Sequence, residues 1–308
     1  MRRTPRSPLP PRDGVDATRI RLPAEGPWAT VLEHLVERLP MLPADRIEAM
    51  LRAGEVVGED GPVGPAAPFV PHASVWFHRD LPTEVPVPFG LDVLHRDEDL
   101  VVVDKPHFLA TTPRGGHVAQ TALVRLRREL GLPDLSPAHR LDRMTAGVVL
   151  FVVRPELRGA YQGLFQDRAV RKVYEAIAPH DPAVALPRTV RSRIVKERGV
   201  HAARELPGEP NSETRVELLE RRGGLGRYRL LPRTGRTHQL RVHLNSLGLP
   251  IVGDELYPVV AHRAPDDFTD PLRLLARSLE FTDPVSGRPR RFDSARALEW
   301  PSGTHPIR

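Results

Sequence analysis

The sequence has no cysteine among its 308 residues and no apolar run of about 18 residues. A chain without cysteine has no disulfide bond, no thiolate metal ligand and no cysteine nucleophile. Because a membrane-spanning helix needs such an apolar run, we expect no membrane partner. The missing disulfides are consistent with a reducing compartment, and we predict a cytoplasmic protein.

Glycine-rich phosphate-binding loops are also missing from the sequence. Residues 78–81 read HRDL, like the start of a kinase catalytic loop, but Val85 stands where that loop requires asparagine. His238 and His243 are five residues apart, whereas two metal ligands on one helical face usually lie four apart. We therefore expect no nucleotide cofactor and no metal, which argues against an ATP- or NAD-dependent enzyme.

Positive charge, in contrast, is in excess. The chain has 45 Lys and Arg against 39 Asp and Glu, a formal net charge of +6. Such an excess suits a polyanionic partner such as a nucleic acid. Many basic proteins bind no nucleic acid, so the interpretation depends on the site that the charges surround.

One carboxylate lies between two arginines in residues 138–147, which read AHRLDRMTAG. The apolar run VVLFVV at residues 148–153 predicts a buried strand directly after them. Asp142 then lies in a polar loop at the start of that strand, where Arg140 and Arg143 favour its ionised form. Such an aspartate acts as a nucleophile or stabilises a cationic sugar. The alternative is a turn aspartate that pairs with arginine only for structure.

A second informative segment, residues 231–243, reads LPRTGRTHQLRVH. Leucines at i, i+4 and i+7 predict one apolar helical face in and beyond it. These are Leu240, Leu244 and Leu247. Arg236 lies at the entrance of this helix and Arg241 within its first turns. Either side chain can reach a carboxylate or a phosphate, and the spacing does not decide between them.

These two segments resemble sequence blocks of the RluA-type RNA pseudouridine synthase family. Two further blocks, residues 93–106 (VLHRDEDLVVVDKP) and 172–177 (KVYEAI), complete the resemblance in the family's order. It covers roughly residues 86–300. The resemblance implies an isomerase that converts uridine in RNA to pseudouridine without cofactor or metal. In this reaction the C1′–N1 bond breaks, the base rotates and C5 bonds to C1′.

The resemblance also implies the fold. We expect an α+β catalytic domain over residues 86–308, with a large, mixed, mostly antiparallel sheet that is split by a central RNA-binding cleft. Asp142 matches the catalytic aspartate of the family, and whether it adds to the sugar or assists glycal formation stays open. Tyr174 matches the tyrosine that packs against the target base and helps to remove the C5 proton. For the arginine that faces Asp142, Arg241 is the first choice and Arg236 the second.

Substrate contacts follow from the same resemblance. Arg140 matches an arginine that fills the space left by a flipped base, since a stacked uridine cannot react at C1′. The alternative for Arg140 is a salt bridge within its own loop. The predicted substrate-binding residues are Arg140, His139, Arg236, Thr145, Lys172 and His238.

The N-terminal region differs from the rest of the chain. Residues 1–20 are basic and proline-rich, which is typical of a disordered tail, and no apolar export signal follows them. Residues 21–85 show helical patterns at 28–39 and 45–53 and a strand pattern at 74–77. This small α+β module weakly resembles an S4 RNA-binding domain. The alternative is an appendage that only packs on the catalytic domain.

The predicted partner is ribosomal or transfer RNA, and the sequence blocks do not encode which one. We expect a monomer. The first alternative function is a catalytically silent RNA-binding protein or RNA chaperone. The second is a glycosidic hydrolase, but such enzymes usually need two carboxylates at a set separation and only Asp142 stands out.

Overall fold

A computed structural model describes residues 5–81 and 83–301, and the chain forms two compact units, Met1–Thr83 and Glu84–Arg308. Residues 1–4 of the predicted tail and residues 302–308 of the predicted catalytic domain lie outside the described residues. Over the described part of the chain, no helix combines the length and the apolarity needed to cross a membrane.

The N-terminal unit is a small α+β module. Its elements are β1 (Thr18–Arg21), α1 (Val31–Arg38), α2 (Ala44–Arg52), β2 (Val57–Gly58), β3 (Gly61–Pro62) and β4 (Ser74–Phe77). The strands form one sheet in the order β1-β4-β2-β3, and the apolar residues of both helices share one core with it. Both helices and β4 occur where the sequence predicts them. Strand β1 begins at Thr18, inside the range predicted as a tail, because it pairs with the distant β4.

In its described residues, 84–301, the second unit contains one large sheet and three α-helices. Its elements are β5 (Asp92–Arg96), β6 (Leu100–Lys105), α3 (Ala122–Leu130), β7 (Ser136–Pro137), β8 (Ala146–Val152), α4 (Arg158–Gln166), β9 (Arg171–Pro179), β10 (Arg188–Val195), β11 (Arg204–Leu206), β12 (Ser212–Arg222), β13 (Leu225–Pro232), α5 (Gln239–Ser246), β14 (Leu274–Thr282) and β15 (Pro289–Asp293). The sheet has 11 strands with the main order β11-β10-β12-β13-β9-β14-β8-β6-β5.

The predicted mixed, mostly antiparallel character of this sheet is confirmed. Strand β14 pairs in parallel with β8, while its pairings with β9 and β15 are antiparallel. The side strands β7 and β15 pair with β8 and β14. The centre of the sheet is therefore the junction of β9, β14 and β8, and the loop that carries Asp142 runs directly into β8.

Strand β8 is buried along its whole length. Its residues alternate between two apolar clusters, with Val149 and Phe151 in one and Val148 and Leu150 in the other. A strand covered on both faces is continuously apolar rather than alternating. This explains why the run at residues 148–153 correctly predicted a buried strand.

The parallel junction of β8 and β14 is unusually tight. Gly147 lies opposite Ala276 and has a φ of +113°. A Cβ atom at position 147 would lie 2.2 Å from the carbonyl oxygen of Ala276. Only glycine both adopts this φ and permits this approach. The junction fixes where the Asp142 loop enters the sheet.

Candidate active site

A cleft of about 900 Å³ opens over the centre of the large sheet. The loop before β8, strand β9 and the segment that leads into α5 all contribute to its wall. The Lys and Arg residues of its lining are Arg114, Arg140, Arg143, Arg168, Lys172, Arg236 and Arg241. Among the described lining residues, Asp142 is the only one with a carboxylate. The cleft therefore attracts polyanions and exposes one acidic group to them.

Backbone contacts hold the Asp142 loop in place. The hydroxyl of Thr111 donates to the carbonyl of Leu141 at 2.7 Å, and the amide of Leu141 donates back to that hydroxyl at 3.1 Å. The amide of Thr145 donates to the carbonyl of Asp142 at 3.1 Å and closes the turn. The loop is thus fixed through its main chain, and the Asp142 side chain stays 37% exposed.

Lys105 is a buried cation beside this loop. Its Nζ donates to the carbonyls of Pro106, Leu109 and Arg143 at 2.9, 2.7 and 3.3 Å. Burial lowers the pKa of Lys105 to about 7, and the negative charge of Asp142 opposes this shift. Three carbonyl acceptors match the three N–H groups of an ammonium. Lys105 therefore connects the end of β6 to the Asp142 loop through hydrogen bonds to main-chain carbonyls.

Among the Lys, Arg and His side chains of the described residues, His238 lies closest to Asp142, closer than either of the predicted arginines. Its Nε2 is 4.0 Å from Asp142 Oδ2, and the described residues offer no other Lys, Arg or His nitrogen within that distance. His238 has a φ of 57° directly before α5, which turns its ring back toward the cleft. Its Nδ1 lies 3.0 Å from the hydroxyl of Tyr257.

Arg241 pairs with a different carboxylate. Its Nε and Nη2 donate to the two oxygens of Asp254 at 2.8 and 2.5 Å, and both side chains are buried. Burial by itself lowers the pKa of Arg241. The hydrogen bonds and the charge of Asp254 outweigh this effect and raise the pKa, and the charge of Asp142 contributes less. Arg236 is exposed and donates through Nε to the carbonyl of Asn211 at 3.1 Å.

The expected ion pair between Asp142 and one of these arginines is therefore corrected. Asp254 lies 112 residues after Asp142 in the chain, and its loop brings it to the helix face that carries Arg241. A buried bidentate carboxylate is a better partner for a guanidinium than a partly exposed one. No pattern in the sequence indicated Asp254 as the partner of Arg241.

Tyr174 and Lys172 lie on the same face of β9, two residues apart, and both line the cleft. Burial, with the nearby charge of Asp142, raises the pKa of Tyr174. Lys172 donates from Nζ to the carbonyl of Thr234 at 3.2 Å. Burial and the charge of Arg168 lower the pKa of Lys172. Both predicted residues thus reach the cleft, with the phenol kept protonated.

His139 has a structural contact that the sequence did not reveal. Its Nε2 accepts a hydrogen bond from the amide of Leu150 at 3.2 Å, and its ring stacks on Phe165 with centroids 4.3 Å apart. Burial and the charge of Lys172 lower the pKa of His139 to about 3. The imidazole is therefore neutral and serves as an acceptor for β8. His139 also lines the cleft, and its predicted contact with the substrate stays a prediction.

Thr145 and Arg140 also line the cleft but differ in exposure. Thr145 is buried and contributes mainly its amide, which closes the turn at Asp142. Arg140 is exposed, and within residues 5–81 and 83–301 it forms no ion pair. The alternative of a salt bridge inside its own loop is absent from the structure. Its guanidinium is available to an incoming ligand.

Comparisons with known proteins agree with this geometry. Residues 99–246 match the model of the RNA pseudouridylate synthase family. The dual-specificity RNA pseudouridine synthase RluA of Vibrio cholerae is 33% identical over 207 residues, which are 64% of this chain and 79% of the relative. The ribosomal large subunit pseudouridine synthase D of Neisseria meningitidis is 28% identical over 280 residues, 84% of this chain and 74% of the relative.

The chain belongs to the RluA-type RNA pseudouridine synthase family.

A solved structure agrees with this assignment. Human RNA pseudouridylate synthase domain containing 1 superposes with a TM-score of 0.55 at 25% identity, over 70% of this chain and 86% of that chain. The large sheet therefore has the pseudouridine synthase fold. The protein is an isomerase that acts on RNA, as the resemblance of its sequence blocks implied.

Several residues of this synthase's site were missed at the level of sequence. Lys105 lies inside the block of residues 93–106, and Asp254 lies eleven residues after the segment 231–243, but no local pattern gave either residue a partner. The available signal for Lys105 was its position at the end of a strand that begins with four apolar residues, since an unpaired buried lysine is rare. Thr111 lies in none of the blocks and had no signal. In the part of the chain that the structure describes, no three His, Asp or Glu residues form a metal-binding group.

Proposed function

We propose that this synthase isomerises a uridine of structured RNA, with Asp142 as the group that acts on the sugar. The observation that carries the proposal is a basic cleft whose described lining has a single carboxylate, that of Asp142. Main-chain hydrogen bonds hold the Asp142 loop, while the Asp142 side chain stays partly exposed. A carboxylate with open oxygen atoms can add to C1′ or remove a proton from the sugar. The surrounding cations attract the RNA backbone without occupying that carboxylate.

Arg140 has the properties of a group that replaces a flipped uridine. It is exposed, unpaired within the described residues, and two residues before Asp142. Extruding a base from its stack costs a few kcal/mol, and a planar guanidinium can stack in the gap. Arg168 and Arg236, both exposed at the cleft, are proposed to contact phosphates.

Tyr174 is proposed to pack its ring against the target base, and Lys172 to contact the substrate from the same strand face. Arg241 supports the site through Asp254 rather than by contact with Asp142. Its charge still stabilises the carboxylate form of Asp142 at longer range. Removing Arg241 is therefore expected to disturb the site by loss of structure as well as by loss of charge.

Relatives of this chain are named for different classes of RNA. One relative is named for the ribosomal large subunit and another is named dual-specificity. We propose ribosomal or transfer RNA as the substrate class, a monomer as the working form and the cytoplasm as its location. The N-terminal module, with its weak resemblance to an S4 domain, is proposed to contribute RNA contacts.

Release of tritium from RNA labelled at uridine C5 tests the activity, because C5 loses its hydrogen when it bonds to C1′. Unmodified ribosomal and transfer RNA are offered separately to the wild type and to Asp142→Ala. We expect release by the wild type from one class, and a loss of at least about 10³-fold in the variant with RNA binding retained. Turnover by Asp142→Ala would refute the role of Asp142. Binding without release from either class would favour the catalytically silent alternative.

A further inference from the structure

The segment between β13 and α5 forms one side of the cleft. Its residues 233–238 belong to neither a helix nor a strand, and residues 234–238 all line the cleft. Arg236 is among them and is exposed. A segment outside the regular hydrogen-bond ladders needs other partners to hold one position. The inference that follows rests on the proposed function, in which Arg236 contacts a phosphate of RNA.

The side-chain amide of Gln239, at the start of α5, forms four hydrogen bonds. Its Oε1 accepts from the hydroxyl of Thr234 at 2.7 Å and from the main-chain amide of Arg236 at 3.0 Å. Its Nε2 donates to the carbonyl of Glu213 at 3.0 Å and to the hydroxyl of Thr214 at 2.9 Å. A primary amide has two N–H groups and an oxygen with two lone pairs, so these contacts use its whole capacity.

The partners of Gln239 also fix the orientation of its amide. The main-chain N–H of Arg236 can only donate, so it must face the oxygen of the amide. The carbonyl of Glu213 can only accept, so it must face the nitrogen. A carboxylate of the same length would lack both N–H groups, and methionine would lack all four contacts. Among side chains of this length, the site therefore specifies glutamine.

Gln239 joins the cleft segment to the large sheet. The oxygen of its amide bonds to the segment, and the nitrogen bonds to the first residues of β12. The main-chain amide of Gln239 also donates to the carbonyl of Arg236 at 3.1 Å. Gln239 thus holds both the amide and the carbonyl of Arg236. From this fixed main chain, Nε of Arg236 reaches the carbonyl of Asn211 at 3.1 Å.

The sheet side of this connection is buried and anchored in turn. Gln239, Thr214 and His243 are all buried. The hydroxyl of Thr214 lies 2.9 Å from Nδ1 of His243. Nε2 of His243 lies 3.0 Å from the hydroxyl of Ser212 and 3.1 Å from that of Ser192. The amide of Gln239 therefore rests against a polar network between α5, β10 and β12, where water does not replace a lost contact.

We propose that Gln239 is a positioning residue that holds Arg236 where its guanidinium contacts a phosphate of RNA. Gln239 acts through the main chain of the cleft segment and does not touch the RNA. Because the segment is held before RNA arrives, binding does not have to order it. Without the amide, the segment has several conformations, and one of them must be selected each time RNA binds.

The main test measures RNA affinity at several salt concentrations for Gln239→Met, for Arg236→Ala and for the double variant. We expect each single variant to lose affinity about tenfold and to reduce the slope of log affinity against log salt by about 1, because one phosphate contact is lost. The double variant is expected to bind at most about twofold more weakly than either single variant, because both substitutions affect the same contact.

Gln120→Met is the matched control for a purely structural role. Oε1 of Gln120 accepts from the amide of Val87 at 3.2 Å and from Nη2 of Arg125 at 2.5 Å, and Gln120 does not line the cleft. We expect this variant to be less stable and to keep the affinity and the salt slope of the wild type. If Gln239→Met does not fold, Thr234→Val takes its place in the test, because it keeps the shape of the side chain and removes one of the four contacts.

The outcomes separate this inference from the proposed function. A folded Gln239→Met with the affinity and slope of the wild type would overturn the inference. Losses that add in full in the double variant would overturn it as well, because Gln239 would then act elsewhere. If Arg236→Ala bound RNA like the wild type, the proposed phosphate contact and this inference would both be refuted. Absence of tritium release by the wild type, with the coupling of the two residues intact, would refute only the proposed activity.

Discussion

Two groups of charged residues surround Asp142, and they are held in opposite ways. The buried network consists of His238, Tyr257, Arg241 and Asp254. Its members are linked by the bidentate pair at 2.8 and 2.5 Å, by the contact of 3.0 Å between His238 and Tyr257, and by the Arg241 guanidinium, 5.3 Å from the centre of the Tyr257 ring. Each of these four side chains has at least one polar partner within the network before any RNA arrives.

The exposed cations, Arg140, Arg168 and Arg236, have no ion pair with any described residue. Their positive charge is spread along the cleft in contact with solvent, where a phosphate backbone can displace counterions. Separate residues therefore hold the geometry of the site and attract the RNA backbone. The buried network is expected to control folding and the geometry of catalysis, and the exposed cations only the binding of RNA.

Breaking the buried pair is expected to have the largest effect. Arg241→Met leaves the fully buried Asp254 charge unpaired, which is expected to lower the free energy of unfolding by about 3–5 kcal/mol. Urea denaturation of the purified protein measures it. The double variant Arg241→Met/Asp254→Leu is expected to recover part of the loss, because no buried charge remains. A loss below about 1 kcal/mol in the single variant would contradict the assigned role of the pair.

Substitution of Gly147, at the junction of β8 and β14, is expected to have the second-largest effect on stability. Gly147→Ala places a methyl group 2.2 Å from the Ala276 carbonyl oxygen at a φ of +113°. We expect a loss of about 2–4 kcal/mol, from overpacking and from backbone strain together. Gly131→Ala is the matched control, since Gly131 also has a positive φ but no atom within 4 Å of its added Cβ. Equal losses in both variants, by thermal or urea unfolding, would show that the close approach is unimportant.

The exposed cations are expected to show the smallest effect on folding. Arg168→Ala and Arg236→Ala should each change the free energy of unfolding by less than about 0.5 kcal/mol. Each should reduce the slope of log affinity against log salt by about 1, because one phosphate contact is lost. Arg291→Ala, at an exposed arginine outside the cleft, is the control and should leave the slope unchanged. If Arg168→Ala or Arg236→Ala lowered the free energy of unfolding and left the salt dependence of RNA affinity unchanged, the exposed cations would serve folding rather than RNA binding.

Much of the fold could be predicted because its signals are local. The buried strand β8 and the apolar helical face of α5 follow from short periodic patterns. The order of 11 strands does not, because each pairing joins segments that are distant in the sequence. Strand β1 illustrates this, since four residues of a polar, basic region become a strand only by pairing with β4.

In the candidate site, too, local sequence patterns predicted some features, while contacts between distant segments could not be predicted. Asp142, Tyr174 and Lys172 could be placed at the cleft from sequence blocks alone, and the structure brings them to one cleft. The choice between Arg236 and Arg241 could not be made, because the competing carboxylate Asp254 has no sequence relation to either. The structural contact of His139 could not be predicted either, because its partner is the amide of Leu150, and every residue except proline has an amide.

The sequence by itself determined the family and the isomerase activity on RNA, and it indicated Asp142 as the candidate for the reactive carboxylate, because these depend on residue types at fixed spacings. Only the tertiary structure decided which side chain lies nearest to Asp142, which carboxylate pairs with Arg241 and which arginines of the cleft have no ion pair among the described residues. A hydrogen-bond network depends on distances between segments that are far apart in the chain. His238 illustrates this, since it lies beside Asp142, 96 residues earlier in the chain, and beside Tyr257, 19 residues later.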